Sequence, residues 1–305
     1  MGKIAFVFSG QGAQAPGMGK ALYESSPAAK SISDTLDGIR KGTLEMCFTG
    51  TESDLKKTEN TQPCMYITEI AAAEALKEAG IIPSAVAGFS LGEIAALAYS
   101  GIVSEEDGFR IVIKRAQFMQ KEAEKHPAVM DAVLKLSDEK VEELASGFDS
   151  VYPVNYNSPG QVVVSAKESS IEAFESKVKE EGGRTMRLNV SGGFHSPFMH
   201  DAAVAFSEEL EKYEFGKPAM DIYSNVTGRK YDGEIKALLS KQIESPVRWV
   251  SIVQNMIESG VDTFIEIGPG STLTGLIKRI SKDVRTYNIS DAESISKIVS
   301  EVSNG

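Results

Sequence analysis

Val86-Ala87-Gly88-Phe89-Ser90-Leu91-Gly92-Glu93 joins a short apolar run to an Ala- and Leu-rich segment. This order predicts a strand, a sharp turn and a helix, with Ser90 at the turn as in a nucleophile elbow. Glycines two residues to either side of Ser90 suit the turn because a Cβ there would crowd it. The Leu91 amide, at the helix start, would face a developing oxyanion. The same pentapeptide also fits an ordinary glycine-rich turn, so the interpretation depends on finding a base.

A serine hydroxyl needs a base within hydrogen-bond reach, normally an imidazole, and the chain has three histidines. His126 lies in a Lys- and Glu-rich segment typical of a solvated helix end, and His200 falls inside a predicted helix. His195 lies in the glycine-rich loop Val190-Ser191-Gly192-Gly193-Phe194-His195-Ser196-Pro197. Loops held by rigid elements often carry catalytic groups. A lone loop histidine is more often structural, but together with the serine elbow His195 becomes the leading base.

Composition limits the class of protein and its partners. The 305 residues have a formal net charge of −11, from 32 basic and 43 acidic side chains. This balance disfavours nucleic acid or an anionic membrane as the main partner. The N-terminal apolar run is too short for a signal peptide and no stretch reaches membrane-spanning length, so we expect a cytoplasmic protein. Cys47 and Cys64 lack metal-site spacing and are expected to be reduced thiols.

The N-terminal part of the chain alternates strands and helices. Residues 3–8 form a predicted strand, and the glycine-rich loop after it has neither phosphate-loop nor dinucleotide-site spacing. Helix starts are indicated at residues 51–54 and 60–63, and the second opens a long Ala-rich helix that leads into the strand before Ser90. Such alternation predicts an α/β fold, a parallel sheet with helices on its faces.

Arg115 lies on the helix that Ser104-Glu105-Glu106-Asp107 opens. Its neighbours at three- and four-residue spacings are apolar, namely Ile111, Val112, Phe118 and Met119. The guanidinium therefore emerges from a largely apolar stripe and needs an anion. A substrate carboxylate is a candidate, because arginine binds carboxylates through two parallel hydrogen bonds. A solvated arginine, or one paired with a protein acid, is the commoner case, and both alternatives stay open.

Residues 127–190 are organised differently from the rest. Strand and helix signals follow one another here in the order βαββαβ, which fits a ferredoxin-like subdomain inserted into the larger sheet domain. We therefore predict a large domain from residues 1–126 and 191–305, with the subdomain at 127–190. Further strands are predicted at 221–224 and 263–267, and further helices at 234–243, 246–258 and 271–280. The cleft between the two parts is where we expect Ser90, His195 and Arg115 to converge.

The most basic stretch of this acidic chain lies at the end of the predicted helix 271–280. Lys278 and Arg279 lie in its final turn, and Lys282 and Arg285 come shortly after. Cations stabilise the C-terminal end of a helix, which is the simpler interpretation. Docking of an acidic partner is the functional alternative.

These features together resemble the malonyl-CoA:acyl carrier protein transacylases, a family related to the acyltransferase domains of polyketide synthases. The matching stretches run nearly from end to end: Phe8-Ser9-Gly10-Gln11-Gly12-Ala13-Gln14, Gly88-Phe89-Ser90-Leu91-Gly92-Glu93, Lys114-Arg115-Ala116-Gln117-Phe118-Met119-Gln120, Asn157-Ser158-Pro159-Gly160-Gln161, Phe194-His195-Ser196, Gln242-Ile243-Glu244-Ser245-Pro246-Val247-Arg248-Trp249 and Glu266-Ile267-Gly268-Pro269-Gly270. The resemblance implies an α/β-hydrolase-like domain that carries a ferredoxin-like insert.

The resemblance also implies roles for individual residues. Ser90 would be the acylated nucleophile and His195 its base, while Arg115 would hold the free carboxylate of a malonyl unit. The main-chain carbonyl of Gln242 would orient the histidine, so no acid need complete a Ser-His-Asp triad. The remaining implied positions are the oxyanion-hole amides of Gln11 and Leu91 and the substrate-binding side chains of Met119 and Phe194.

The implied reaction is a ping-pong transfer of malonyl from malonyl-CoA to the phosphopantetheine thiol of acyl carrier protein, for fatty-acid or polyketide synthesis. No metal or redox cofactor is implied, and the family resemblance favours a monomer. Acyl carrier protein is itself acidic, so the basic stretch near Lys278 and Arg279 becomes a predicted docking site.

Three positions depart from the family's usual pattern. Phe89 stands where histidine is usual, Ala116 where glycine is usual, and Asp131 where a small apolar residue is usual. Phe89 is adjacent to the predicted nucleophile and therefore bears on acyl preference and rate.

Two other classes of function stay open. A hydrolase of acyl-CoA or acyl carrier protein thioesters would use the same Ser90 and His195, although related acyl hydrolases typically lack the arginine found at position 115. A non-catalytic carrier-binding protein would have lost the nucleophile or the base, and this chain retains both.

Overall fold

The computed structural model describes residues 2–190 and 192–303. The predicted domain limits at residues 1, 191 and 305 lie outside the described residues, as does Ser191 of the histidine loop. Within the described ranges, no helix combines the length and the apolar character needed to cross a membrane.

The strands, in chain order, are β1 (Lys3–Phe8), β2 (Ala85–Gly88), β3 (Val129–Leu134), β4 (Val151–Ser158), β5 (Gln161–Ala166), β6 (Arg184–Arg187), β7 (Asp221–Tyr223), β8 (Val261–Ile267) and β9 (Arg285–Ile289). The α-helices are α1 (Lys20–Ser25), α2 (Pro27–Ile39), α3 (Thr43–Thr49), α4 (Glu52–Lys56), α5 (Thr58–Glu78), α6 (Gly92–Tyr99), α7 (Glu105–Lys125), α8 (Asp138–Ser146), α9 (Glu168–Glu180), α10 (His200–Leu210), α11 (Ile235–Gln242), α12 (Trp249–Glu258), α13 (Thr272–Ile280) and α14 (Ala292–Ser303). A 3₁₀ turn, Pro197–Met199, precedes α10.

The larger sheet is parallel, with strand order β7-β2-β1-β8-β9. Strand β1 is central and pairs Ala5 with Ala85 on one side and with Phe264 on the other. Residues 5–8 of β1 are fully buried, as expected for a parallel strand that is covered on both faces. Because all five strands run the same way, the carboxyl ends of β1, β2 and β8 meet at one edge, which is where ligands bind in open α/β sheets.

The smaller sheet is antiparallel, with strand order β4-β5-β3-β6. Its strands and the helices α8 and α9 follow the sequence order βαββαβ, and the strand order is that of a split βαβ, ferredoxin-like unit. The predicted fold class, a parallel-sheet α/β domain with an inserted ferredoxin-like subdomain, is therefore confirmed. Where one domain ends and the other begins stays as predicted from the sequence.

A short bridge attaches the smaller sheet to the larger domain. The N–H of Val247 donates to the Val154 carbonyl at 2.9 Å, and the N–H of Tyr156 donates to the Val247 carbonyl at 2.9 Å. Because Val247 is held as an extended segment against β4, α12 begins at Trp249, three residues later than the sequence predicts.

Other element limits also differ from the sequence prediction. Helix α5 begins at Thr58, earlier than predicted, because the N–H groups of Asn60 and Thr61 already donate to the Lys57 carbonyl, and Pro63 lies inside the helix. Strand β6 ends at Arg187, so residues 188–190 form a loop rather than a continued strand.

Candidate active site

The turn between β2 and α6 brings two backbone segments into close contact. Ser90 lies there with a φ of 56°, a left-handed conformation that is uncommon for a residue with a side chain. A Cβ at Gly88 would lie 1.9 Å from the carbonyl carbon of Gly92, and one at Gly92 would lie 2.4 Å from the Phe8 carbonyl oxygen. Only glycine fits at either position, so strand, turn and helix pack closely enough to fix the serine at the carboxyl edge of the sheet.

The Ser90 hydroxyl and the His195 ring are in hydrogen-bond contact. Ser90 Oγ is 2.7 Å from His195 Nε2, and His195 Nδ1 is 2.8 Å from the main-chain carbonyl oxygen of Gln242. A carbonyl oxygen only accepts, so Nδ1 carries the proton and Nε2 is free to accept from the serine hydroxyl. The histidine also has a positive φ, 61°, so both members of the pair sit on strained backbone.

Burial keeps the imidazole neutral. His195 is 4% exposed, and burial together with the nearby Arg115 charge lowers its pKa to about 4, against the opposing hydrogen bonds to Gln242 and Ser245. A neutral imidazole can act as a base, so at neutral pH the ring is in the protonation state required to activate Ser90.

Arg115 reaches the same point from the middle of α7. Its guanidinium is fully buried and donates to Gln62 Oε1 at 2.7 Å, to Gln242 Oε1 at 2.6 Å and to Ser90 Oγ at 3.1 Å. Its Nε has no acceptor among the described residues. Burial lowers the pKa of Arg115 to about 10, while the charge of Glu93 opposes that shift. The side chain is therefore a desolvated cation beside the serine, with a donor still free.

A buried polar network supports this site, and sequence reasoning gave Glu93, Asn225 and Tyr231 no role in it. Glu93 accepts from the Asn225 N–H at 2.9 Å, from the Tyr231 hydroxyl at 2.7 Å and from Gln242 Nε2 at 2.6 Å. Asn225 Oδ1 in turn accepts from the Ser90 N–H at 2.7 Å. Their positions in the chain could have indicated a role in the site. Glu93 follows the elbow directly, and Asn225 lies just beyond β7 at the carboxyl edge of the sheet.

A cavity of about 250 Å³ opens beside the serine and lies between the two sheets. Its lining includes all the predicted site residues except Gln242, whose side chain lies behind Arg115. The described residues provide no acceptor for the N–H groups of Gln11 and Leu91, which suits both for binding an oxyanion. Met119 is 2% exposed and its sulfur accepts from Gln62 Nε2 at 3.4 Å, while Phe194 is 6% exposed.

The wall contributed by the smaller sheet is mostly apolar. Its apolar cavity-lining residues are Met130, Ala132, Val163 and Met186, continued by Leu188 and Val190 after β6, and its polar ones are Asn155, Asn157 and Gln161. A mostly apolar wall on one side and convergent polar groups on the other are typical of a small-molecule site.

The three unusual positions lie in different surroundings. Phe89 lines the cavity and packs edge-on against Trp249, with ring centroids 5.6 Å apart. Ala116 is fully buried in α7. Asp131 is also buried and pairs with Arg187 on β6; burial and the neighbouring Glu175 raise its pKa to about 6, while Arg187 opposes the shift. Ala116 and Asp131 do not line the cavity, so of the three only Phe89 lies where it can affect a molecule bound there.

The basic stretch lies on α13, a helix that lines the cavity. Thr272, Leu273 and Leu276 of α13 line the cavity, and Lys278 and Arg279 are exposed one turn further on. Arg279 donates to Gln161 Oε1 at 2.6 Å, so α13 also contacts the smaller sheet.

Residues 5–304 match the acyl transferase domain family. The chain belongs to this family. Among curated relatives, malonyl CoA-acyl carrier protein transacylase of Bacillus subtilis (strain 168) is 38% identical over 303 residues, covering 97% of this chain and 96% of the relative. The protein of the same name from Staphylococcus aureus (strain MRSA252) is 38% identical over 306 residues, covering 97% and 98%.

Solved structures that are similar to this chain in sequence have the same fold. Malonyl CoA-acyl carrier protein transacylase from Clostridium perfringens superposes with a TM-score of 0.95 at 39% identity, covering 99% of this chain and 98% of the other. A malonyl-transacylase in complex with its type II polyketide-synthase acyl carrier protein gives 0.94 at 31% identity, covering 98% and 99%. The chain is therefore an acyltransferase over its full matched length.

Proposed function

We propose that this acyltransferase moves a malonyl group from malonyl-CoA to the phosphopantetheine thiol of an acyl carrier protein. The observation that carries the proposal is the contact of three side chains at one point. The Ser90 hydroxyl lies 2.7 Å from a neutral imidazole and 3.1 Å from the buried guanidinium of Arg115. The relatives named as malonyl transacylases support the choice of acyl group.

The first half-reaction forms an acyl-enzyme. Ser90 Oγ attacks the thioester carbonyl carbon while His195 Nε2 takes the hydroxyl proton, and the N–H groups of Gln11 and Leu91 bind the oxyanion. The carbon–sulfur bond then breaks, and the CoA sulfur leaves with the proton from His195. The Gln242 carbonyl stabilises the imidazolium during this step, because it accepts the Nδ1 hydrogen bond.

The second half-reaction reverses the first with another thiol. The phosphopantetheine thiol gives its proton to His195 Nε2 and attacks the acyl carbon of Ser90. The carbon–oxygen bond breaks, and the proton returns to Ser90 Oγ. Both halves require the same two side chains, and the chemistry requires no metal or redox cofactor of the chain's own.

Arg115 gives the reaction its preference for a carboxylated acyl group. A malonyl carboxylate would accept from the guanidinium, whose Nε has no acceptor among the described residues. Met119 and Phe194 line the cavity and would contact the apolar part of the acyl group. An acyl group without a carboxylate leaves this buried cation without an added partner, which disfavours its binding.

The carrier would dock at the end of α13. Lys278 and Arg279 are exposed there, one turn beyond the residues that line the cavity, so a bound acidic carrier would have its phosphopantetheine arm near the opening. A structurally similar malonyl-transacylase has been solved with its acyl carrier protein. We propose further that the enzyme is cytoplasmic and acts as a monomer, and light scattering of the purified chain tests the monomeric state.

Intact-mass spectrometry tests the proposed function. Wild type and Ser90→Ala are mixed with malonyl-CoA, and holo acyl carrier protein is then added. We expect a malonyl adduct on wild type alone and its movement to the carrier. An adduct that decays at the same rate without the carrier would show a hydrolase, and no adduct would show that the acyl donor is a different one.

A further inference from the structure

Glu93 is a buried acid that the reaction steps above do not use. Its side chain is fully buried and accepts three hydrogen bonds, from Tyr231, Asn225 and Gln242. Burial raises the pKa of Glu93 to about 7, although these hydrogen bonds and the charge of Arg115 favour the ionised form. The carboxyl group can therefore change its charge near neutral pH.

A single amide side chain connects this acid to the site cation. Gln242 Oε1 accepts from Arg115 Nη2 at 2.6 Å, and Gln242 Nε2 donates to Glu93 Oε2 at 2.6 Å. Among the described residues, Glu93 is the acid whose charge raises the pKa of Arg115. The two side chains thus form a charge pair that is bridged by Gln242 rather than in direct contact.

We propose that Glu93 is the counter-charge of Arg115 in the empty site and takes up a proton from solvent when a substrate carboxylate binds that guanidinium. The inference rests on the proposed function, since a malonyl group brings the second anion. Two carboxylates near one cation in a desolvated site cannot both keep their charge without a penalty. Glu93 is the one that is neutralised, because it is already buried while the malonyl carboxylate contacts the guanidinium directly.

The groups around Glu93 can accommodate this proton. Two titratable or charged groups face Glu93: Arg115 of α7, which reaches it through Gln242, and Tyr231 in the segment after β7. The other two neighbours, Asn225 and Gln242, are neutral. A phenol hydroxyl can change from donor to acceptor, so a protonated Oε1 keeps its hydrogen bond to Tyr231. The tyrosine proton then turns to the Ser224 hydroxyl, which already interacts with Tyr231.

Glu93 is by this argument a positioning residue that acts through Gln242 and Arg115. It holds the guanidinium charged and in place before substrate binds, and it cancels its own charge afterwards. The affinity for a carboxylated acyl group should then fall as pH rises above 7, because the proton is less available. A neutral acyl group adds no anion and should show no such dependence.

Calorimetry of the inactive Ser90→Ala variant tests proton uptake directly. Malonyl-CoA and acetyl-CoA are titrated at one pH near 7.5 in buffers of different ionisation enthalpy, and the slope gives the protons bound. The CoA phosphates are common to both ligands and cancel. We expect net uptake with malonyl-CoA beyond that with acetyl-CoA, and equal slopes would overturn the proposal.

Two substitutions assign the proton. Glu93→Gln in the Ser90→Ala background should remove the extra uptake. Glu105→Gln is the matched control, because Glu105 is another partly buried acid whose pKa burial raises to about 7 but which does not line the cavity, and it should leave the uptake unchanged. Uptake that survives Glu93→Gln would assign the proton elsewhere and overturn the proposal.

Wild-type kinetics test the proposal without any variant. The KM for malonyl-CoA should rise above pH 7, by up to about tenfold per pH unit, while the KM for acetyl-CoA stays level. Parallel pH profiles for the two donors would contradict the role of Glu93. That result differs from failure of the proposed function, in which malonyl-CoA leaves no adduct on Ser90.

Discussion

Arg115 is the residue that distinguishes this site from a general serine acyltransferase. Its guanidinium is buried and donates to three side chains, one of which is Ser90, the proposed nucleophile. We expect Arg115→Ala to lower kcat/KM for malonyl transfer by roughly 10- to 150-fold, the equivalent of about 1.5–3 kcal/mol for hydrogen bonds to a charged group. Acetyl transfer should be unchanged or faster, because acetyl makes no use of the cation.

Transfer assays with both donors measure this difference. Lys114→Ala serves as the control, since Lys114 is the exposed neighbour on the same helix. Equal losses for malonyl and acetyl would mean that Arg115 supports the structure of the site rather than the acyl carboxylate.

The low pKa of His195 predicts the acid limit of the reaction. Burial and the Arg115 cation lower this pKa to about 4, so the imidazole stays a free base over most of the acid range. With acetyl-CoA as donor, kcat/KM should stay level down to about pH 5 and fall as pH drops through 4. Arg115→Ala removes a positive charge that disfavours the imidazolium, so the fall should begin at a higher pH.

A pH series of acetyl transfer by wild type and Arg115→Ala checks both statements, with circular dichroism to show that the protein stays folded. An acid limit at the ordinary histidine pKa in wild type, or no shift in the variant, would contradict the electrostatic account.

At the scale of elements, the turn between β2 and α6 is the part of the fold that tolerates substitution least. A Cβ at Gly88 would lie 1.9 Å from the backbone of Gly92, far inside any real contact. We expect Gly88→Ala to lower the melting temperature and to abolish acylation of Ser90, because strand and helix must separate. Gly38→Ala on α2 is the matched control, since a Cβ there meets nothing within 4 Å and alanine favours a helix. Melting curves and adduct formation should separate the two variants.

Elements whose limits depend on local signals were predictable from the sequence. The helices α7 and α8 begin where the sequence predicts, because Ser104 and Ser137 accept hydrogen bonds from backbone N–H groups three residues on. The starts of α5 and α12 were not, since α5 begins without a side-chain cap and the segment before α12 pairs with a strand far away in the chain.

The residues of the site likewise divide into those that the sequence could predict and those that it could not. Ser90, His195 and Arg115 could be proposed from local patterns and family resemblance, and the fold brings all three together. Helices and a strand that no motif indicated, namely α1, α2, α3, β9 and α14, were not predicted. Gln62 and Asn225 are single polar residues whose partners lie far along the chain, so only the folded structure reveals their contacts.

At the scale of the whole molecule, an acidic surface must accept an acidic partner. The net charge of −11 repels an acidic carrier over long range, so local basic groups must guide it to the cavity. Lys278 and Arg279 are exposed at the end of the helix whose earlier residues line the cavity. The dipole of α13 also favours these cations, so their presence alone does not decide between stabilisation and docking.

Charge reversal separates the two roles. We expect Lys278→Glu with Arg279→Glu to raise the KM for acyl carrier protein several-fold and to leave formation of the malonyl adduct unchanged. Added salt should raise the wild-type KM and have less effect on the variant, because salt screens an attraction that the variant has already lost. Lys20→Glu with Lys30→Glu, on α1 and α2 and outside the cavity lining, changes the net charge by the same amount and is the control. A lower melting temperature with an unchanged KM would assign the two cations to the helix end, and the carrier would then have to dock elsewhere on the rim.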